Sequence, residues 1–132
     1  MDIQDMGILQ LISKIFRNKQ TILDKYMKKY DLSNGTLPYL LNLESAEGIS
    51  QINLSKRMHI DKAMTARTVS KLITQGLICN SRNEEDGWSY NLYLTDKARA
   101  IMPLIHHDMD TLMGLMEQGI SQEELEITRR TL

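Results

Sequence analysis

Lys62, Thr65, Arg67, Thr68 and Lys71 crowd into one short stretch, and their chemistry is that of recognition rather than bond making. Lysine and threonine suit phosphate oxygens or thymine methyls, while an arginine can read guanine through two parallel hydrogen bonds. Ser50 lies upstream, where a helix would begin and its free N–H groups would attract phosphate. Arg82 and Trp88 follow downstream. Catalysis finds no comparable set. No Ser/His/Asp order, glycine-rich phosphate loop or cleft-forming carboxylate pair is present, and Glu84-Glu85-Asp86 reads as a solvated turn. His106 and His107 are adjacent, so on a helix they point about 100° apart, and with His59 they make no metal-ligand spacing. The expectation is a binding protein with no catalytic residues, no metal and no cofactor.

The elements that must position these residues are legible around them. Leu54 to Ile78 reads as a short helix, a tight turn, and a longer helix capped by Asp61 and stopped by Gly76. In the longer helix Thr65, Val69, Leu72 and Ile73 form an inward stripe, which leaves Lys62, Ala63, Arg67, Ser70, Lys71 and Thr74 outward. Thr65 is a border residue: it opens the inward stripe and is also expected beside the exposed face. Leu77–Cys79 and Tyr90–Leu94 carry strand-like residues around the turn-rich Asn83-Glu-Glu-Asp-Gly87. A helix-turn-helix followed by a hairpin wing is a winged helix, whose default task is binding duplex DNA. The plainer alternative makes Lys62, Arg67 and Lys71 an ordinary solvated face.

Composition permits this without announcing it. A chain of 132 residues with net charge -1 is one domain by size, large enough for a core and small enough to gain from dimerisation. The charge is unevenly spread. Residues 14–29 hold six basic side chains against Asp24 alone, and residues 56–99 hold eight against five acids. Local positive charge suffices for a surface that follows phosphates, although solvated helix faces explain the first run equally well. A lone cysteine, Cys79, excludes an internal disulfide framework and fits a reducing compartment. With no leader and no apolar run near the roughly 20 residues of a membrane span, a cytoplasmic protein without a membrane partner is expected.

Ile8, Leu9, Ile12, Ile15, Phe16, Ile22, Leu23, Tyr26 and Met27 recur at helical spacing, which predicts one long helix over residues 3–29. A second helix carries Leu37–Leu43, with Pro38 in its first turn, and Ser50 caps the third. Thr95 caps a long apolar helix through Met116, and Ser121-Gln-Glu-Glu124 opens a last helix that the chain barely begins. The fold class is therefore mainly α with a small β-hairpin wing. Residues 1–132 form a single domain, with a winged-helix lobe over about 30–97 and flanking helices over about 3–29 and 98–132. The flanking helices carry more apolar face than the lobe can cover, so a second copy of the chain is the simplest partner.

The order Leu32-Ser33, Glu47-Gly48-Ile49-Ser50-Gln51, Leu54-Ser55, Ile60-Asp61-Lys62, Thr65-Ala66-Arg67 and Leu72-Ile73-Thr74-Gln75-Gly76-Leu77-Ile78 resembles the MarR family of bacterial transcriptional regulators. The wing residues Arg82, Asp86 and Tyr90-Asn-Leu-Tyr-Leu-Thr95 continue the resemblance, which covers nearly the whole chain. It implies a homodimer of winged helices joined through the first and last helices. It also implies binding to a pseudo-palindromic DNA operator, mostly as a repressor, with release by a small, often phenolic ligand or an oxidant. By position, Asp61–Gln75 is the recognition helix, and Arg82 and the loop to Trp88 are the wing. One departure stands out: family wings carry Asp, any residue, then Arg, whereas this chain has Asp86-Gly87-Trp88.

Trp88 then either wedges against the minor-groove wall or, more simply, packs back on the wing or a neighbouring chain. The resemblance also implies an effector pocket between helical stalk and lobe, which Tyr26, Tyr39, Met102 and Met109 could line, with core packing the plainer role for the methionines. Cys79 is expected at a half-buried strand position and reads as structural rather than as an oxidant sensor. The rival to a DNA-binding regulator is a winged helix used as a protein-interaction module through the Trp88 wing.

Overall fold

Side-chain and backbone caps divide the chain into its elements. The computed structural model describes residues 2–82 and 90–132. The helices are α1 (Ile8–Met27), α2 (Leu37–Ser45), α3 (Gln51–Met58), α4 (Lys62–Thr74), α5 (Asp96–Glu117) and α6 (Gln122–Thr131), and the strands β1 (Ile78–Arg82) and β2 (Tyr90–Leu94). The single helix predicted over 3–29 is instead three pieces. Ile3–Asp5 is a 3-10 turn, Gly7 is extended, α1 follows, and Lys28–Tyr30 tightens into 3-10 geometry. Gln10 Oε1 accepts from the Gly7 N–H at 3.1 Å, which starts α1 afresh. The apolar stripe starts only at Ile8, just after this break, so periodicity did not place the helix start.

Ser50 and Asp61 cap α3 and α4 as predicted. The Asn53 N–H donates to Ser50 Oγ at 3.2 Å, and the Met64 N–H donates to Asp61 Oδ1 at 2.7 Å. Ser121 and Glu124 form the expected reciprocal box, at 3.1 and 3.0 Å, and the last helix runs well past a bare beginning, to Thr131. Three helical segments end alike. Asp31, His59 and Gly76 take left-handed backbone at φ 57°, 54° and 74°. The next N–H of each, from Leu32, Ile60 and Leu77, reaches back to the carbonyl of Met27, Ser55 and Leu72. An apolar residue after the left-handed one is the usual companion of this closure. Here Leu32 and Leu77 enter the core.

The chain divides into two units, residues 1–101 and 102–132. In the first, Leu32, Leu37, Leu40, Leu43, Leu54, Val69, Leu72, Leu77, Ile78, Leu92 and Leu94 are buried together with Leu23 and Met27 from the end of α1. β1 and β2 pair antiparallel, with Ile78 opposite Leu94 and Arg82 opposite Tyr90. Gly48 N–H donates to the Leu92 carbonyl at 2.8 Å and Leu92 N–H to the Ile49 carbonyl at 2.9 Å, so the strand leading to Ser50 borders β2's other edge. Glu47 Oε1 accepts from both the Leu94 N–H (2.9 Å) and Arg99 Nη2 (2.6 Å), which ties that edge to the start of α5. Asn34 donates to Asp24 Oδ1 from its backbone N–H (2.7 Å) and its amide (2.9 Å). Those bonds, the backbone one first, hold the Asp24 carboxyl below its ordinary value of 3.8.

Cys79 departs from its expected half-burial and is exposed. One face of the hairpin is packed, and alternation along β1 sends Ile78 inward and Cys79 outward, opposite Tyr93. In the second unit α6 is held to α5 by Arg129 and Glu117, 3.5 Å apart. No described helix is long and apolar enough to cross a membrane.

Candidate nucleic-acid interface

α4 carries a sharply divided face. Thr65, Val69 and Leu72 are buried, whereas Lys62, Ala63, Met64, Arg67, Ser70 and Lys71 are exposed. At about 100° per residue, Arg67 sits near the centre of the exposed arc, with Ala63 and Met64 one turn before it and Ser70 and Lys71 one turn after. Arg67, Lys62 and Lys71 make no ion pair or side-chain hydrogen bond among the described residues. An uncommitted arginine at the middle of an exposed helix face is free to fork onto a base edge or a phosphate.

Two expected contact residues change role. Thr65 is 0% exposed, so the border position resolves inward and its side chain cannot reach DNA. Its hydroxyl, moreover, has no hydrogen-bond partner. Thr68 is half-buried and spends its hydroxyl proton on the Met64 carbonyl at 2.9 Å, leaving only acceptor capacity. Ile73, assigned to the inward stripe, is half-buried. Met64 is the exposed residue that sequence periodicity overlooked, at 45%. Apolar residues are sought on the inward stripe, so an outward methionine leaves no periodic signal.

Backbone capping decides which helix start suits an anion. Asp61 places a carboxylate on the first turn of α4, which disfavours phosphate there. Ser50 at the start of α3 is neutral and half-buried, and its hydroxyl proton remains to be donated after its oxygen accepts from Asn53. α3 adds the exposed Lys56. Arg57, exposed as well, is committed to Asn42 Oδ1 at 3.3 Å and Ser45 Oγ at 2.9 Å, and so fixes α3 against α2.

The far end of α4 is clamped. Lys97 Nζ donates to the Gln75 carbonyl at 2.8 Å, and Thr95 Oγ1 to the Gly76 carbonyl at 2.6 Å. Gln75 Nε2 reaches the Asp31 carbonyl at 2.8 Å, which ties the helix end to the turn after α1. These bonds satisfy carbonyls that a helix end leaves open and fix α4 at the end away from its exposed first turns. Arg82 closes β1, and residues 83–89, Asp86 and Trp88 among them, lie outside the described residues.

The expected effector residues are differently placed. Tyr26 is half-buried and Tyr39 is buried in the first unit, and Tyr39 Oη has no partner. Met102 is buried and Met109 half-buried in the second. None of them lines the open hollow of about 450 Å³ beside α1, whose walls are Met6, Leu9, Gln10, Ser13, Lys14 and Arg17.

Comparison with known proteins agrees with this geometry. The model of the MarR family matches residues 32–89, which include α2, α3, α4 and β1. The HTH-type transcriptional regulator BilQ of Clostridium symbiosum (strain WAL-14163) is 31% identical over 114 residues, covering 82% of this chain and 79% of that protein. Among solved structures, a MarR transcriptional regulator from Methanosarcina mazei Go1 is 30% identical with a TM-score of 0.84, over 94% of this chain and 90% of that one. The MarR protein from Peptoclostridium difficile superposes at a TM-score of 0.89 with 25% identity, over 99% of this chain and 86% of the other. With its winged helix, its exposed α4 face and these relatives, the chain belongs to the MarR family of DNA-binding, helix-turn-helix transcriptional regulators.

Proposed function

We propose that the chain works in the cytoplasm as a homodimeric repressor that binds a pseudo-palindromic operator through α4 and releases it when a small aromatic effector binds. The carrying observation is the exposed arc of α4 with an uncommitted Arg67 at its centre. Each α4 enters a major groove, with Arg67 on a guanine edge and Lys62 and Lys71 on flanking phosphates. Ser50, at the start of α3, donates to the backbone. Arg82 adds a wing contact. The two half-sites stand about one helical turn apart.

Dimerisation is supported by the apolar first half of α1, where Ile8, Leu9, Ile15 and Phe16 are 55–78% exposed. Faces of that kind are costly in water and are covered by a second chain in symmetric assemblies. Effector release belongs to the same proposal, with Tyr26, Tyr39, Met102 and Met109 the residues to vary first. Tyr39 is the most informative of them, since a ligand oxygen would satisfy its buried hydroxyl.

Fluorescence anisotropy with the DNA upstream of the protein's own gene, at two salt concentrations and against a scrambled duplex, tests the reading. Tight, salt-sensitive and sequence-selective binding is the expected result, because phosphate contacts make affinity fall steeply with salt. Equal binding to both duplexes would favour a protein-interaction role instead.

A further inference from the structure

The first exposed turn of α4 has an unusual chemistry for a helix that reads DNA. After Lys62 at its first position, its outward residues are Ala63 and Met64, which carry no side-chain donor or acceptor of the kind that reads base edges, and Met64 leaves 45% of its surface in water. Two nearby polar groups, unlike Lys62, are already engaged. Thr68 donates its proton to the Met64 carbonyl, and Asp61 accepts from the Met64 N–H. With Lys62 set on a flanking phosphate in the reading above, Arg67, one turn beyond Ala63 and Met64, is the next outward group able to donate to a base.

In the major groove the 5-methyl of thymine is the apolar feature that distinguishes one base pair from the others, and small or flexible apolar side chains meet it. We propose that Ala63 and Met64 form a methyl-reading surface, so that each half-site carries thymine beside the base pair that Arg67 reads. This rests on the reading above that α4 lies in the major groove, and it adds the class of half-site selected. Methionine suits the task because its unbranched thioether chain adapts to the methyl's position. Replacing thymine by deoxyuridine removes the methyl and leaves every hydrogen-bonding group in place.

The test uses the duplex that the full chain selects from a random library, with each half-site thymine replaced in turn by deoxyuridine. One or two replacements are expected to weaken binding about fourfold each, the effect of one buried methyl. Met64→Ala should bind the parent duplex more weakly and show no penalty at one of those positions, whereas Met64→Leu should retain it. Both variants alter an exposed residue, and unchanged thermal unfolding would show that they remain folded. If the protein still prefers its selected duplex but no thymine is penalised, or the penalty survives in Met64→Ala, methyl reading is overturned while DNA recognition by α4 stands. If selection yields no preferred duplex, both readings fail together.

Discussion

Thr65 shows how one residue's environment decides its task. Its side chain is fully buried near the start of α4 with a hydroxyl that no group satisfies. An unpaired hydroxyl in an apolar site costs on the order of 1–3 kcal/mol. Thr65→Val keeps the shape and removes the polar atom. It should raise the unfolding free energy by about 1 kcal/mol and leave operator affinity unchanged, as chemical denaturation and anisotropy would report. Lost affinity without lost stability would return Thr65 to the DNA face. Capping residues at this scale were legible in advance, because Ser50, Asp61 and Ser121 act on N–H groups only three residues away. Thr65, Met64 and Cys79 were not. Their placement depends on which face the rest of the fold covers, and periodicity does not resolve a residue at the edge of a stripe.

At the scale of elements, the helix-turn-helix is a set of matched stops and starts. The turn between α3 and α4 requires left-handed backbone at His59, where glycine is the usual solution. A side chain in that conformation costs roughly 1 kcal/mol. His59 is exposed, so His59→Gly loses little packing and should stabilise the protein by up to about 1 kcal/mol. A differential scanning measurement checks this, and a drop in melting temperature would mean that the imidazole makes a contact worth more than the strain. The order of helices and the two strands was readable from caps and alternation. The break at Gly7 was hidden because the apolar stripe starts only at Ile8, which leaves the residues before it without a periodic signal. Likewise β1 extends to Arg82, beyond the predicted Cys79, because pairing with Tyr90–Asn91 rather than intrinsic propensity carries the strand outward.

For the whole molecule the apolar first half of α1 is the feature that a single chain does not explain. Ile8, Leu9 and Phe16 are each more than half exposed, whereas Leu23 and Met27 at the other end of the same helix are buried. A second copy that covers those residues also brings a second α4 to the operator. Tethering two reading heads raises affinity by about a hundredfold or more over one. Ile12→Glu puts a charge on that face and should convert a dimer to a monomer in sedimentation equilibrium, with operator affinity falling by about a hundredfold. An unchanged sedimentation mass would mean that the dimer forms elsewhere or not at all. The sequence made the surplus of apolar residues visible. It could not tell which turns of α1 the lobe already covers, because that division is set by tertiary contacts.

The central claim is that Arg67, free at the middle of the α4 arc, reads the operator. Comparing the wild type with Arg67→Ala, by anisotropy on the selected and scrambled duplexes at one salt concentration, addresses it directly. The account predicts that Arg67→Ala loses about ten- to a hundredfold in affinity for the selected duplex, close to the 1–3 kcal/mol of a bidentate base contact. Binding to the scrambled duplex should change far less, so selectivity collapses. Equal losses on both duplexes would make Arg67 a phosphate contact, and no loss on either would remove α4's exposed face from the interface.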